Sequence, residues 1–235
     1  MTKTIVRLFD RPADAMRASE EIERMGIPHS DISLVANNRE GWYDKKDGLR
    51  HDRLDYNRDG KMGDGMMRNG KKDADRDGED DRVEGAEKGA AYGGLVGGGA
   101  GLLAGLGMLA IPGIGPIVAA GWLASTAVGA AAGAVAGGAT GGILGALTKE
   151  GVPERDAHVY AEGVRRGGSL LTVRAPDDRI NEVEMALKRF NSTDASTRST
   201  AYTNDGWSKF DSMGSEYDED QIAKERMRYP TTPIM

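Results

Sequence analysis

The sequence predicts an α+β fold whose two halves are interrupted by a long helical hairpin. Two observations support this prediction. Strand-type and helix-type patterns alternate near both ends, and between them lies an uncharged stretch with glycine at every fourth position. A chain of 235 residues fits one domain with insertions. We therefore expect five regions, with boundaries at residues 1–40, 41–88, 89–148, 149–198 and 199–235.

The N-terminal region 1–40 has the pattern of a strand, a helix and a second strand. Thr4–Phe9 is rich in β-branched and apolar residues, which favours a strand. Asp10 can cap the helix that follows, in which apolar residues recur at helical spacing. Gly26 is expected to end that helix, and Ile32–Val35 to form the second strand.

The region 149–198 returns to the same kind of pattern. A helix beginning at Pro153 precedes Ser169–Ala175, which has the strongest strand pattern in the chain. A further helix is expected over Ile180–Phe190, and a weak strand near Thr193–Thr197. Together the βαβ and αβαβ halves predict one ferredoxin-like sheet with its helices on one face.

The central region 89–148 contains no charged residue, and its glycines follow a helical repeat. Residues four apart share one face of a helix, so glycine at this spacing leaves a groove in which a second helix can pack closely. A break at Ile111–Pro116 divides the stretch into the two helices of a glycine-zipper hairpin. The glycines predicted to line the helix contact are Gly89, Gly93, Gly97, Gly101, Gly105, Gly129, Gly133, Gly137, Gly141 and Gly145.

The length and neutrality of this hairpin favour association with the cytoplasmic membrane as transmembrane helices. A membrane span needs about 20 mostly apolar residues, and the stretches 89–111 and 116–148 are long enough. The charged flanks would remain on one side, which we expect to be cytoplasmic together with the α+β domain and both termini. Glycine and alanine contribute little to insertion, so a soluble hairpin that self-associates in the cytoplasm is the alternative.

The linker 41–88 and the tail 199–235 are polar, and both are expected to be disordered, with a possible helical turn near Asp220–Met227. The linker matches the D-x-D-x-D-G-x₅-E pattern of EF-hand calcium loops. The candidate metal ligands are Asp73, Asp75, Asp77 and Glu84. No amphipathic helix precedes them, so a solvated acidic linker is the simpler interpretation and a Ca²⁺-responsive binding module the alternative.

The composition argues against several classes of protein. The net charge is −6 with both signs mixed, so no basic surface for nucleic acid is expected. There is no cysteine, which excludes thiolate metal sites and cysteine nucleophiles. The three histidines lack metal-ligand spacing, and neither a phosphate-binding loop nor a nucleophile-elbow motif occurs. We therefore predict a non-enzymatic protein without catalytic residues, and no cofactor other than the calcium considered above.

One stretch carries a family resemblance. The residues Gly151–Pro153, Ala157–Gly168 and Leu171–Val173 resemble the signature of the YflT-like general stress proteins, bacterial proteins induced by heat or low temperature. The region 1–40 looks like the N-terminal half of that family, whose members commonly carry a Gly/Ala-rich segment between the halves. The resemblance implies a general stress-response protein. Because the family has no established activity, it supplies neither catalytic residues nor a protein partner.

Overall fold

The computed structural model describes residues 2–44, 48–49, 102–124 and 142–229. The strands are β1 (Thr2–Phe9), β2 (Ile32–Asn37), β3 (Tyr43–Asp44), β4 (Gly48–Leu49), β5 (Gly107–Ile111), β6 (Gly115–Gly121) and β7 (Ser169–Pro176). The α-helices are α1 (Pro12–Arg24), α2 (Gly142–Lys149), α3 (Glu154–Arg165), α4 (Ile180–Arg189), α5 (Ala195–Asn204) and α6 (Glu219–Met227). The α+β prediction is confirmed at this level.

Five strands form one antiparallel sheet in the order β1-β7-β2-β6-β5. The strand nearest the C-terminus, β7, lies between the first two, and Val173 is opposite both Ile5 of β1 and Ile32 of β2. The strands β3 and β4 form a separate two-stranded ribbon. The sheet therefore forms only when the two ends of the chain meet.

Helices cover both faces of the sheet. On the α1 face, α1 and α4 contribute the fully buried Ile22 and Leu187 to one apolar cluster. On the α3 face, α2, α3 and α5 contribute Leu147, Tyr160 and Tyr202 to a second cluster. The expectation of helices on one face is therefore wrong. Every residue of β2 is buried, and a strand buried along its whole length needs cover on both sides.

The helical-hairpin prediction is wrong for residues 102–121. Leu102–Gly105 is a single 3₁₀ turn, and β5 and β6 form a β-hairpin. Gly113 and Gly115 both have positive φ angles, which glycine adopts at low cost, and they make the turn tight. The β-branched Ile117 and Val118 that follow pair with β2, as their preference for strands favours.

The remainder of the predicted hairpin gives a mixed result. Residues 89–101 and 125–141 lie outside the described residues. The helix α2 lies within the predicted second helix and agrees with it. The helical prediction is therefore confirmed for residues 122–124 and for α2.

The two segments predicted to be disordered contribute to the fold. Trp42 at the start of the predicted linker is fully buried, and its indole N–H donates to the carbonyl of Asn37 at 2.6 Å. In the predicted tail, α5 extends to Asn204 and α6 follows, with Tyr202 and Ile222 buried. Disorder is therefore wrong for residues 41–44 and 199–229, because contacts with distant parts of the chain compensate for their polar composition.

The weak strand expected near Thr193–Thr197 is reduced to a single bridge. Thr193 pairs with Leu8 on the side of β1 away from β7, through reciprocal backbone hydrogen bonds of 2.9 and 2.8 Å. Asp194 then caps α5 by accepting a hydrogen bond from the backbone N–H of Thr197. A cap at this position favours a helix and ends the extended segment.

Candidate functional site

A group of buried charged side chains connects the C-terminal helices to one end of the sheet. We call it the charged cluster, and its members come from five segments of the chain. It consists of Asp10, Glu40, Glu162, Arg166, Arg198, Glu225 and Arg226.

The fold brings these groups together from distant positions. Asp10 directly follows β1, and Glu40 lies three residues after β2. Glu162 lies on α3 and pairs with Arg166, which caps that helix one turn later. The C-terminal ends of β1 and β2 lie at the same end of the sheet, because β7 pairs antiparallel to both strands. The cluster is therefore a meeting point of the two halves.

Arg226 of α6 makes the most extensive contacts in the cluster. Its guanidinium donates to the Glu40 carboxylate at 2.6 Å, to the carbonyl of Asp10 at 2.9 Å and to the carbonyl of Gly167 at 3.2 Å. Its side chain is almost completely buried. One residue thus fixes α6 to three separate segments of the fold.

Arg166 forms the second connection to α6. It donates to Glu162 at 2.7 Å and to Glu225 at 3.2 Å, and its guanidinium lies 4.1 Å from the centre of the Tyr202 ring. Burial opposes the charged form, but pairing with Glu162 and Glu225 holds the pKa of Arg166 above its ordinary value. The guanidinium is therefore a permanent positive charge between two carboxylates.

Arg198 of α5 forms the third connection. It donates to the Asp10 carboxylate at 2.8 Å and lies 3.6 Å from the centre of the Tyr229 ring. Burial raises the pKa of Asp10, and the nearby Arg198 opposes that shift without cancelling it. Burial likewise raises the pKa of the Tyr202 hydroxyl well above its ordinary value.

This arrangement is suited to holding segments together. The carboxylates of Asp10, Glu40, Glu162 and Glu225 each contact a guanidinium of the cluster. Arginine keeps its proton at all physiological pH values, so these pairs provide fixed charges and directed hydrogen bonds. Breaking one pair would leave a buried charge without compensation, which makes the geometry strongly specified.

Between α5 and α6 the chain crosses the molecule without regular secondary structure, and we call Asp205–Asp218 the strap. It lies over the turn between β5 and β6, where a Cβ added to Gly113 would be 2.5 Å from the carbonyl oxygen of Ser212. Glu216 of the strap pairs with Arg39. The strap therefore touches the turn through backbone as well as side chains.

An open groove lies between the strap and α6. Its volume is about 670 Å³, and it is lined by Arg39, Glu216, Tyr217, Asp218, Glu219 and Asp220. Although acidic side chains predominate, no three metal-ligating side chains come together anywhere in the described residues. The capping box of Asp218 and Gln221 already uses one of the carboxylates to begin α6.

The strand β5 forms the other notable surface. Within the described part of the chain it pairs only with β6. Gly107 and Ala110 are exposed, and the side chain of Met108 is 46% exposed. The strand has no charged residue and no proline, the features with which natural edge strands usually discourage pairing.

The residues predicted from the sequence as sites are mostly outside the described residues. This applies to the candidate calcium ligands Asp73, Asp75, Asp77 and Glu84, and to the glycines Gly89, Gly93, Gly97, Gly101, Gly129, Gly133, Gly137 and Gly141. Gly105 ends the 3₁₀ turn, is exposed, and a Cβ added there would meet no atom within 4 Å. It therefore has no close packing partner among the described residues. Gly145 lies in α2 and is half-buried.

Sequence reasoning missed the charged cluster. Its arginines resemble surface arginines when only neighbouring residues are considered. Two local signals were present: Glu162 and Arg166 have the four-residue spacing of a helical ion pair, and Asp218 and Gln221 have the spacing of a capping box. The second signal in particular predicts an ordered helix in the tail.

Comparison with known proteins leaves the family open. No family model matches the chain, and searches of curated proteins and of solved structures return no significant match. Among the helices in the described ranges, none has the length and apolar character required to cross a bilayer.

Proposed function

We propose that this chain is a non-catalytic general stress-response protein that acts by associating with copies of itself through the β5 edge. The observation that carries the proposal is the uncharged strand Gly107–Ile111 with the half-exposed Met108. Open edges of this kind form backbone hydrogen bonds with a strand from another chain. Antiparallel pairing of two β5 strands would join the sheets of two copies.

The stress-response part of the proposal is supported by the resemblance described above. The motif residues Ala157–Gly168 form most of α3 and the turn after it, including Glu162 and Arg166 of the charged cluster. In this interpretation the motif maintains the fold that presents the edge strand. It carries no reacting group.

We further propose a ferredoxin-like origin for the main sheet. The order β1-β7-β2 places β7 inside the β1–α1–β2 unit, and the Thr193–Leu8 bridge lies at the position of a fourth strand. In this interpretation β6 and β5 are additions at the β2 edge. That addition produces the exposed strand on which self-association depends.

The length of the uncharged segments favours self-association over membrane spanning. Ala124 and Gly142 both belong to the described residues, and only 17 residues, 125–141, separate them along the chain. Crossing a bilayer and returning would require about 20 apolar residues in each direction. Residues 107–121, the centre of the predicted membrane hairpin, lie in the sheet.

Analytical ultracentrifugation of Met108→Lys tests the proposal. A lysine on the edge places a charge where the second strand would pair, so we expect self-association to weaken about tenfold or more, which corresponds to about 1.4 kcal/mol. Met185→Lys is the matched control, because Met185 is 63% exposed on α4, far from the edge. The control should associate like the wild type.

Two results would contradict the proposal. One is a wild type that remains monomeric over the whole concentration range, and the other is equal weakening by Met108→Lys and Met185→Lys. Flotation with phospholipid vesicles should be measured in parallel. Binding to vesicles that Met108→Lys leaves unchanged would favour the membrane interpretation instead.

A further inference from the structure

The turn between β5 and β6 is apolar and is covered by the C-terminal part of the chain. Ile111 and Ile114 are 5% and 1% exposed although they flank a surface turn. Ser212 of the strap lies directly on Gly113, and the Arg39–Glu216 pair lies beside Gly115. The strap thus contributes to the burial of a turn next to the end of the proposed association strand.

The strap has deep contacts only near its start, where Trp207 and Phe210 pack against the apolar cluster of the α3 face. Many of its side chains point into solvent, and Met213 is 89% exposed. Phe210 and Tyr217 rest against the guanidinium of Arg165, with ring centres 5.8 and 5.7 Å away. Contacts of this kind at a surface are individually weak. The start of the strap is therefore anchored by Trp207 and Phe210, and beyond Phe210 its position depends on α6.

At its C-terminal end the strap depends on α6, which has little apolar surface to bury. Ile222 is its one large buried apolar side chain, packed against the backbone of Gly167. Within the helix the other major contacts are those of Arg226 with Glu40 and two carbonyls, and that of Glu225 with Arg166. Just after it, Arg228 pairs with Asp205 at the surface, and the Tyr229 ring faces Arg198. Arg226 is therefore the principal attachment of α6.

We propose that α6 and the part of the strap beyond Phe210 undock from the sheet as one unit, with Arg226 as the latch, and that undocking uncovers the Ile111–Pro116 turn. Local opening of weakly packed units is a general property of folded proteins. This inference rests on the proposed function, because it assigns to the strap the regulation of the β5 edge. A docked strap limits the apolar surface offered to a second copy, and an undocked strap extends it.

Hydrogen exchange of the full-length chain measures the opening directly. Arg226→Met breaks the buried ion pair with Glu40 and removes the hydrogen bonds to the carbonyls of Asp10 and Gly167. We therefore expect exchange of the backbone amides of residues 113–115 and of α6 to rise at least tenfold. Exchange of the β7 amides should stay within about twofold of the wild type. Lys224→Met is the matched control, since Lys224 is exposed on the same helix and its loss removes the same charge. It should leave both regions unchanged.

Cross-linking the strap to the body of the protein provides a second test, which stays valid even if Arg226→Met destabilises the whole fold. The native chain has no cysteine, so Arg39→Cys combined with Glu216→Cys supplies two unique thiols at the contact between strap and body. Joining them with a short bis-maleimide should slow exchange at residues 113–115 relative to the same variant left unlinked. If linking leaves amide exchange at residues 113–115 unchanged, the proposal that the strap undocks from the turn would be wrong.

Self-association separates this inference from the function on which it rests. We expect Arg226→Met to self-associate at least tenfold more strongly than the wild type, and adding Met108→Lys should abolish the gain. Faster exchange without stronger association would overturn the regulatory role of the strap and leave self-association of the wild type intact. A wild type that does not associate would instead remove the proposed function.

Discussion

The α1 face and the charged cluster hold the same sheet by different means. On the α1 face, Phe9, Ile22 and Leu187 are fully buried among other apolar side chains. In the charged cluster, Arg226 and Glu40 hold α6 through paired charges with defined geometry. Apolar burial is non-directional and adds stability in proportion to area, whereas a buried ion pair mainly specifies one arrangement. The comparison indicates that one region makes the fold stable and the other positions a segment that can leave it.

Truncating a buried side chain on the α1 face should have the largest effect on stability. Phe9→Ala removes a fully buried ring from the α1 face, and we expect it to lower the free energy of unfolding by about 3–5 kcal/mol. Urea denaturation followed by circular dichroism measures the change. Met185→Ala, at an exposed position on α4, should stay within about 0.5 kcal/mol of the wild type. A loss below about 1 kcal/mol for Phe9→Ala would contradict the assignment of this face as the stabilising core.

A double-mutant cycle measures the strength of the latch pair. We expect Glu40→Gln and Arg226→Met to show a coupling free energy of about 0.5–3 kcal/mol, because each single change breaks the same buried ion pair. The double variant should therefore lose less stability than the two single variants added together. Additive losses would show that the pair does not act as a unit.

The N-cap of α5 provides a smaller and more local effect. Asp194→Ala removes the acceptor for the N–H of Thr197, and we expect a loss of about 1 kcal/mol at neutral pH. That hydrogen bond lowers the pKa of Asp194, so its contribution is present above the ordinary value of 3.8 and disappears as the pH falls further. Urea titrations of both proteins at neutral and acidic pH test this, and a difference that persists at the lowest pH would be inconsistent with it.

The pH dependence of Asp10 should be small and of opposite sign. Burial raises the pKa of Asp10, so its folded form takes up a proton more readily than its unfolded form. Stability contributed through this group therefore increases as the pH falls through the folded pKa toward 3.8. Relative to Asp10→Asn, the wild type should gain stability as the pH is lowered over that range. If the difference in stability between the wild type and Asp10→Asn is the same at every pH, folding does not raise the pKa of Asp10.

The correctly predicted elements are those whose signals are local. The strand Thr2–Phe9, the helix Pro12–Arg24 and the strand Ser169–Pro176 each follow from the periodicity of a few consecutive residues. The hairpin of β5 and β6 was missed because two conflicting patterns occur in the same stretch. Glycines four residues apart predict packed helices, whereas the short β-branched runs predict strands. The Ile111–Pro116 break was correctly placed, but it is a turn between strands.

The candidate site could not be predicted from local patterns for a different reason. Arg226 and Glu40 are 186 residues apart, and Arg198 and Asp10 are 188 apart. A charged tail that stays in solvent and one that docks through ion pairs have the same composition. Only the fold, by bringing the ends of β1 and β2 beside α6, distinguishes between them.

The position of β7 between β1 and β2 has a consequence for biosynthesis. The first strand is complete at Phe9, but its neighbour begins at Ser169, so the ribosome adds about 160 residues before the two can pair. At roughly 5–20 residues per second this delay lasts about ten to thirty seconds. During that time β1 and β2 lack the strand that joins them, and their apolar edges are open to chaperones or to other nascent chains.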